Sequence, residues 1–140
     1  MAMTVRRGVF ETNSSSSHSI TVEVGPYWDT ITPDDGVIRL TGGEFGWEIE
    51  EYNDAKTKAN YAALDFILCG NEDRLDELIE VIQDFTGYPV EIDIDLESSN
   101  YSYIDHQSIG TVNDDIYDKE ELKNFIFNKS SVLYTDNDNH

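Results

Sequence analysis

Four short segments hold the side chains whose types and spacing suit chemistry. Asn13, Ser14, Ser15, Ser16, Ser17 and His18 form an unbroken run of one amide, four hydroxyls and an imidazole. Small residues leave their backbone amides open to close approach, which suits an anion. Arg6 and Arg7 precede the run, and Glu11 is the one acid among residues 1 to 22, so this is a positive island fit for a phosphate-bearing ligand. Serine beside histidine also supplies a nucleophile and a base, but adjacency in sequence does not establish hydrogen-bond geometry, and a Ser-rich connector is the plainer reading.

Gly43-Glu44-Phe45-Gly46-Trp47 sets an acid and two aromatics among glycines, which permit backbone geometry closed to other residues. Glu44 and Trp47 are its candidate ligand contacts. Asp105-His106-Gln107-Ser108 places an imidazole beside a carboxylate. Neighbours in an extended chain point to opposite faces, so Asp105 is not expected to orient His106. His106 with Gln107 and Ser108 could still line a pocket, where His18 or His106 would act as acid or base. Asp136-Asn137-Asp138-Asn139 alternates oxygen ligands as a calcium loop does, without the glycine and downstream glutamate of an EF-hand. Asp136 and Asp138 are therefore at most a weak divalent-cation site on a polar tail, residues 135–140, and no other cofactor is expected.

Charge points elsewhere. Nine Lys and Arg against 29 Asp and Glu leave a formal charge of −20 on 140 residues. Such a surface repels nucleic-acid phosphate, so direct nucleic-acid binding is not expected, and it steers basic partners inward. Asp73, Asp76, Glu77, Glu80 and Asp84 fall on the outward side of a helical pattern, and Glu91, Asp93 and Asp95 on the outward side of an alternating one. The strand row spaces its carboxylates by about 7 Å, close to the separation of successive phosphates along a nucleic-acid strand. A solvated sheet face needs polar residues in any case, and acidity also provides solubility.

The elements that must position these groups follow from periodicity. Thr4 to Phe10 and Ser19 to Val24 read as two strands of a hairpin, with Ile20, Val22 and Val24 inward and a connection too long for a tight turn. Val37 to Leu40 reads as a short strand. Asn53 or Asp54 is expected to cap a helix to Gly70 with Ala59, Ala62, Ala63, Phe66 and Ile67 on its apolar face. A second helix, Glu72 to Phe85, places Leu75, Leu78, Ile79 and Ile82 at helical spacing and stops at Gly87 and Pro89. Val90 to Leu96 is the clearest strand. Tyr101 to Ser108 is followed by a loop through Asp118. Asp118 then caps a short helix, Lys119 to Asn128, and Ser131 to Tyr134 is a last strand. Cys69, the one cysteine, excludes an internal disulfide and is expected to be a small buried hydrophobe. No apolar run approaches a membrane span, and Met1-Ala2 before Met3 reads as a cloning remnant. The whole is expected to be a single α+β domain, with a mostly antiparallel sheet, two central helices and a short C-terminal helix.

The run Val5-Arg6-Arg7-Gly8-Val9-Phe10-Glu11-Thr12-Asn13-Ser14-Ser15-Ser16-Ser17-His18-Ser19 resembles the opening of a family of small, uncharacterised bacteriophage and prophage proteins. Gly43 to Trp47, Ile104 to Ser108 and Thr135 to Asn139 are similar to that family's later segments. The resemblance implies a phage origin and a place in the cytoplasm of the infected bacterial host, and no activity. Two readings follow. In the first, the chain is a non-catalytic inhibitor whose carboxylates occupy the basic groove of a host nucleic-acid-binding defence enzyme, as anti-CRISPR and anti-restriction proteins do. In the second, the four polar segments converge on one ligand-binding or hydrolytic cleft.

Overall fold

The computed structural model describes residues 3–8, 19–33, 35–45, 50–94, 103–104 and 110–135, with side chains placed at 19–33, 35–43, 51–94 and 110–135. Two strands open the chain, β1 (Met3–Gly8) and β2 (Ser19–Val24), paired antiparallel from Met3 against Val24 to Gly8 against Ser19. The expected hairpin is therefore formed. After β3 (Ile38–Leu40), β4 (Glu44–Phe45) and β5 (Glu50–Tyr52) come two long helices, α1 (Ala55–Leu68) and α2 (Glu72–Thr86). Then follow β6 (Val90–Ile92), β7 (Tyr103–Ile104), α3 (Thr111–Asp115), α4 (Lys119–Phe127) and β8 (Val132–Thr135). The main sheet is antiparallel in the order β1-β2-β8-β5, and two parallel pairs, β3-β6 and β4-β7, stand apart from it. This is the expected α+β architecture with a mostly antiparallel sheet. No helix among the described residues is long and apolar enough to cross a membrane.

Local chemistry sets the helix ends. Asp54 accepts the Thr57 N–H through Oδ2 at 2.9 Å, which starts α1. Asp118 does the same for Glu121 N–H at 2.8 Å, and Glu121 Oε1 reaches back past the cap to accept the Tyr117 N–H at 2.8 Å, which fixes the chain entering α4. Gly87 ends α2 at φ 81°, a left-handed conformation that favours glycine.

Helix α1 runs through the centre. Every residue from Lys58 to Phe66 is buried, and the helix contacts α2, α3, α4, β3 and β7. Helix α2 is the opposite kind, with Leu78, Val81 and Ile82 buried and acids outside. Ile20 and Val22 of β2 and Leu133 of β8 supply the sheet's buried side, and Leu122, Phe125, Ile126 and Phe127 of α4 join the same core.

Four expectations need correction. Val24 is 45% exposed: it is the last residue of β2, three positions beyond the pairing with β8 that ends at Thr21, whereas Val22 on the same face is still covered by the core. Cys69 is exposed: α1 stops at Leu68 and the thiol sits in the capping turn before Gly70. The strand expected over Val90 to Leu96 spans Val90 to Ile92 and pairs parallel to β3. The loop expected before Asp118 contains α3.

Candidate functional site

Three polar side chains of α1 point into the protein, and each holds a different segment. Lys58 is fully buried, and its Nζ donates to the carbonyls of Asn128 and Ser131 at 2.8 Å each. These close the turn between α4 and β8, and the ammonium also stands 5.7 Å from the centre of the Phe125 ring. Asn60 Oδ1 accepts the N–H groups of Thr41 and Gly42 at 2.8 and 2.9 Å, fixing the entry to the glycine-rich segment. Asp65 accepts N–H groups from Gly110 at 2.6 Å, Val112 at 2.9 Å and Asn113 at 2.8 Å, and so caps α3 from a neighbouring helix. Burial pushes the Asp65 carboxyl up, against those three donors. Burial likewise pushes the Lys58 ammonium down to about 7, opposed by Asp54 and Asp29.

The turn that Lys58 holds also ties β2 to β8. Ser131 Oγ accepts the Glu23 N–H at 2.8 Å, Thr21 Oγ1 accepts the Val132 N–H at 3.0 Å, and Asn128 Nδ2 donates to the Gly25 carbonyl at 2.6 Å.

Of the residues singled out from sequence, Asn13, Ser14, Ser15, Ser16, Ser17, His18, Trp47, Asp95, Asp105, His106, Gln107, Ser108, Asp136 and Asp138 lie outside the described residues, and Arg6, Arg7 and Glu44 are described in backbone only. The strands that border them are described. Gly8 pairs with Ser19, Ser19 with Tyr134, and Thr135 with Glu50. Glu44 pairs with Tyr103 and Phe45 with Ile104. The register thus brings the roots of the serine run and of the polar tail, and the chain leaving the glycine-rich segment, to one end of the main sheet. The β4-β7 pair sets the root of Asp105 to Ser108 beside the glycine-rich segment itself. Among the described residues no group of three or more His, Cys, Asp or Glu is placed to hold a metal ion.

The acidic candidates on α2 are in view. Asp73, Asp76, Glu80 and Asp84 are exposed, three or four residues apart, on the side of α2 opposite its buried residues. Over 11 residues this makes a stripe about 16 Å long. Glu77 is half-buried and paired with Arg74 at 3.1 Å, while Lys119 crosses from α4 to Glu80. Arg74 also donates to the Ile116 carbonyl, so it belongs to the packing of α2 on α3. In β6, Glu91 is exposed and 3.7 Å from Arg39, which is held more closely by Asp35 at 2.8 Å, and Asp93 is exposed just beyond the strand.

Cys69 is held in its protonated thiol form. Although the residue is exposed, its thiol is pushed up to about 11 by partial loss of solvent around the sulfur and by the carboxylates of Asp65 and Asp114.

Lys58, Asn60 and Asp65 were not singled out from sequence. A signal was there: after Lys56 and Thr57 the segment to Leu68 is almost wholly apolar, with no outward charged row of the kind α2 has, so Lys58, Asn60 and Asp65 stand out among residues fit for burial. Comparison with protein-family models, with curated proteins and with solved structures found no match to this chain.

Proposed function

We propose that this protein is a binding protein whose surface carboxylates occupy the basic, nucleic-acid-binding groove of another protein and so inhibit it. The observation that carries this reading is the exposed α2 stripe of Asp73, Asp76, Glu80 and Asp84. Carboxylates at one-turn intervals on a rigid helix present a repeating negative row without flexible linkage, and such a row steers and orients a cationic partner. Glu91 and Asp93 of the segment that follows α2 extend the acidic supply. The resemblance to phage and prophage proteins supports a host nucleic-acid-binding defence enzyme of the CRISPR or restriction kind as the partner, and the infected cell's cytoplasm as the place of action.

The test is capture of purified host defence nucleases across a salt series. Binding is expected to weaken about tenfold or more between roughly 50 and 200 mM salt. It is also expected to be lost in a variant carrying Asp73→Asn, Asp76→Asn, Glu80→Gln and Asp84→Asn. Binding indifferent to salt and to those four changes would refute the reading.

The strand register favours a second reading, a polar ligand site at the end of the main sheet. The pairings Gly8 with Ser19, Ser19 with Tyr134 and Thr135 with Glu50 gather the roots of the serine run, the polar tail and the chain entering β5, and the separate pairing of Phe45 with Ile104 sets the root of Asp105 to Ser108 beside the glycine-rich segment. In a titration with inorganic phosphate or with calcium, the amide signals of Ser14 to Ser17, His106 and Asp136 are expected to shift together with one apparent Kd. Shifts confined to a single segment would exclude a common site.

A further inference from the structure

A groove of about 360 Å³ runs between α2 and α4, lined by Val81, Asp84, Phe85, Lys119, Glu120 and Lys123. Beside it stands Trp28, 43% exposed, its ring 5.5 Å from that of Phe85. Phe85 in turn stacks on Phe127 at 4.0 Å, which anchors the aromatic wall in the core. The chain's own lysines occupy the groove's cation positions. Lys123 Nζ lies 5.6 Å from the centre of the Trp28 ring and 3.1 Å from Glu120, and Lys119 is paired with Glu80. Both pairs are solvent-exposed, with side-chain exposures of 36% and 73% in one and 51% and 56% in the other, so each contributes little and is readily exchanged.

We propose that this groove receives an arginine side chain of the basic partner, stacked on Trp28 and paired with Asp84 and Glu120 in place of Lys123. The inference rests on the carboxylate-mimicry reading and names the partner's anchoring group. A guanidinium fits better than an ammonium because it is planar, less strongly hydrated, stacks on aromatic faces and pairs with carboxylates through two parallel hydrogen bonds. Val81 and Phe85 supply apolar surface for its methylene stem. The lining's own charges balance, Asp84 and Glu120 against Lys119 and Lys123, and what favours a cationic occupant is the stripe Asp73, Asp76, Glu80 and Asp84 leading along α2 to the groove in a chain of net charge −20.

The probes are hexa-arginine and hexa-lysine peptides titrated into the full chain at low salt. The readouts are Kd and the Trp28 indole N–H signal, distinguished from that of Trp47 by a Trp47→Phe variant. Hexa-arginine is expected to bind at least about threefold more tightly than hexa-lysine and to shift the Trp28 signal. Lys123→Met, which vacates the ring, is expected to tighten hexa-arginine about threefold or more, beyond the effect of Lys56→Met, which removes the same charge from exposed Lys56 on α1. Equal effects of the two lysine changes, or peptide binding with the Trp28 signal unmoved, would overturn the arginine site and leave carboxylate mimicry standing. Failure of both peptides to bind would overturn both.

Discussion

Asp65→Ala is expected to lower the stability of the fold by about 3–5 kcal/mol and to melt α3. The carboxylate is fully buried and is the acceptor for the N–H groups of Gly110, Val112 and Asn113, at 2.6 to 2.9 Å. Alanine leaves those donors without an acceptor, at about 1–3 kcal/mol for each one left buried. It also frees the volume that the carboxylate filled. A five-residue helix has almost no stability of its own, so losing an external cap removes most of what forms it. Asp65→Asn keeps one acceptor oxygen and is expected to cost less than Asp65→Ala. Chemical denaturation gives the stability difference, and amide exchange at residues 110–115 locates it.

Lys58→Met is expected to remove a pH dependence that the wild type shows. Burial holds the Lys58 ammonium at about 7 in the fold against 10.5 for an ordinary lysine. Between those values the unfolded chain binds the proton and the folded chain does not, so the residue makes the fold more stable as pH rises. That contribution is complete above 10.5 and is lost as pH falls through about 7. The stability of the wild type relative to Lys58→Met is therefore expected to increase by about 2–3 kcal/mol between pH 7 and pH 9. Tyrosines and the mutual repulsion of the acids also titrate the fold, but they are common to both proteins, so the difference between the two curves isolates Lys58. Parallel curves would mean that the ammonium stays charged, held by the Asn128 and Ser131 carbonyls.

The contrast between the two long helices shows what sequence could reveal. In α2, acids every third or fourth residue against Leu78 and Ile82 gave both the helix and its wet side, and Gly87 gave its end. Asp54 and Asp118 marked the starts of α1 and α4 because an N-cap acts within its own turn. Asp65 also caps a helix, but one 45 residues further along the chain, and no local pattern announces that, so α3 read as a loop. Lys58 and Asn60 meet partners 70 and 19 residues away for the same reason. Val90 to Ile92 read correctly as strand, yet its parallel partner Ile38 to Leu40 lies across both long helices, and alternation carries no information on direction. For the candidate site, the α2 stripe was legible since it needs only helical spacing. The adjacency of the strand ends that border the serine run, the polar tail and the chain entering β5 was not, because it follows from the pairing of Ser19 with Tyr134 and of Glu50 with Thr135.

Structure and charge meet in a division of labour. Buried Lys58, Asn60 and Asp65 fix the segments around α1, while α2 is left to turn its acids outward. Displacement of a fluorescent DNA duplex from a captured host nuclease asks most directly whether those acids stand in for phosphates. Mimicry predicts that the wild type releases the duplex in full at one equivalent per groove and that the variant neutralised at positions 73, 76, 80 and 84 does not. A stable ternary complex of nuclease, duplex and this protein would contradict it.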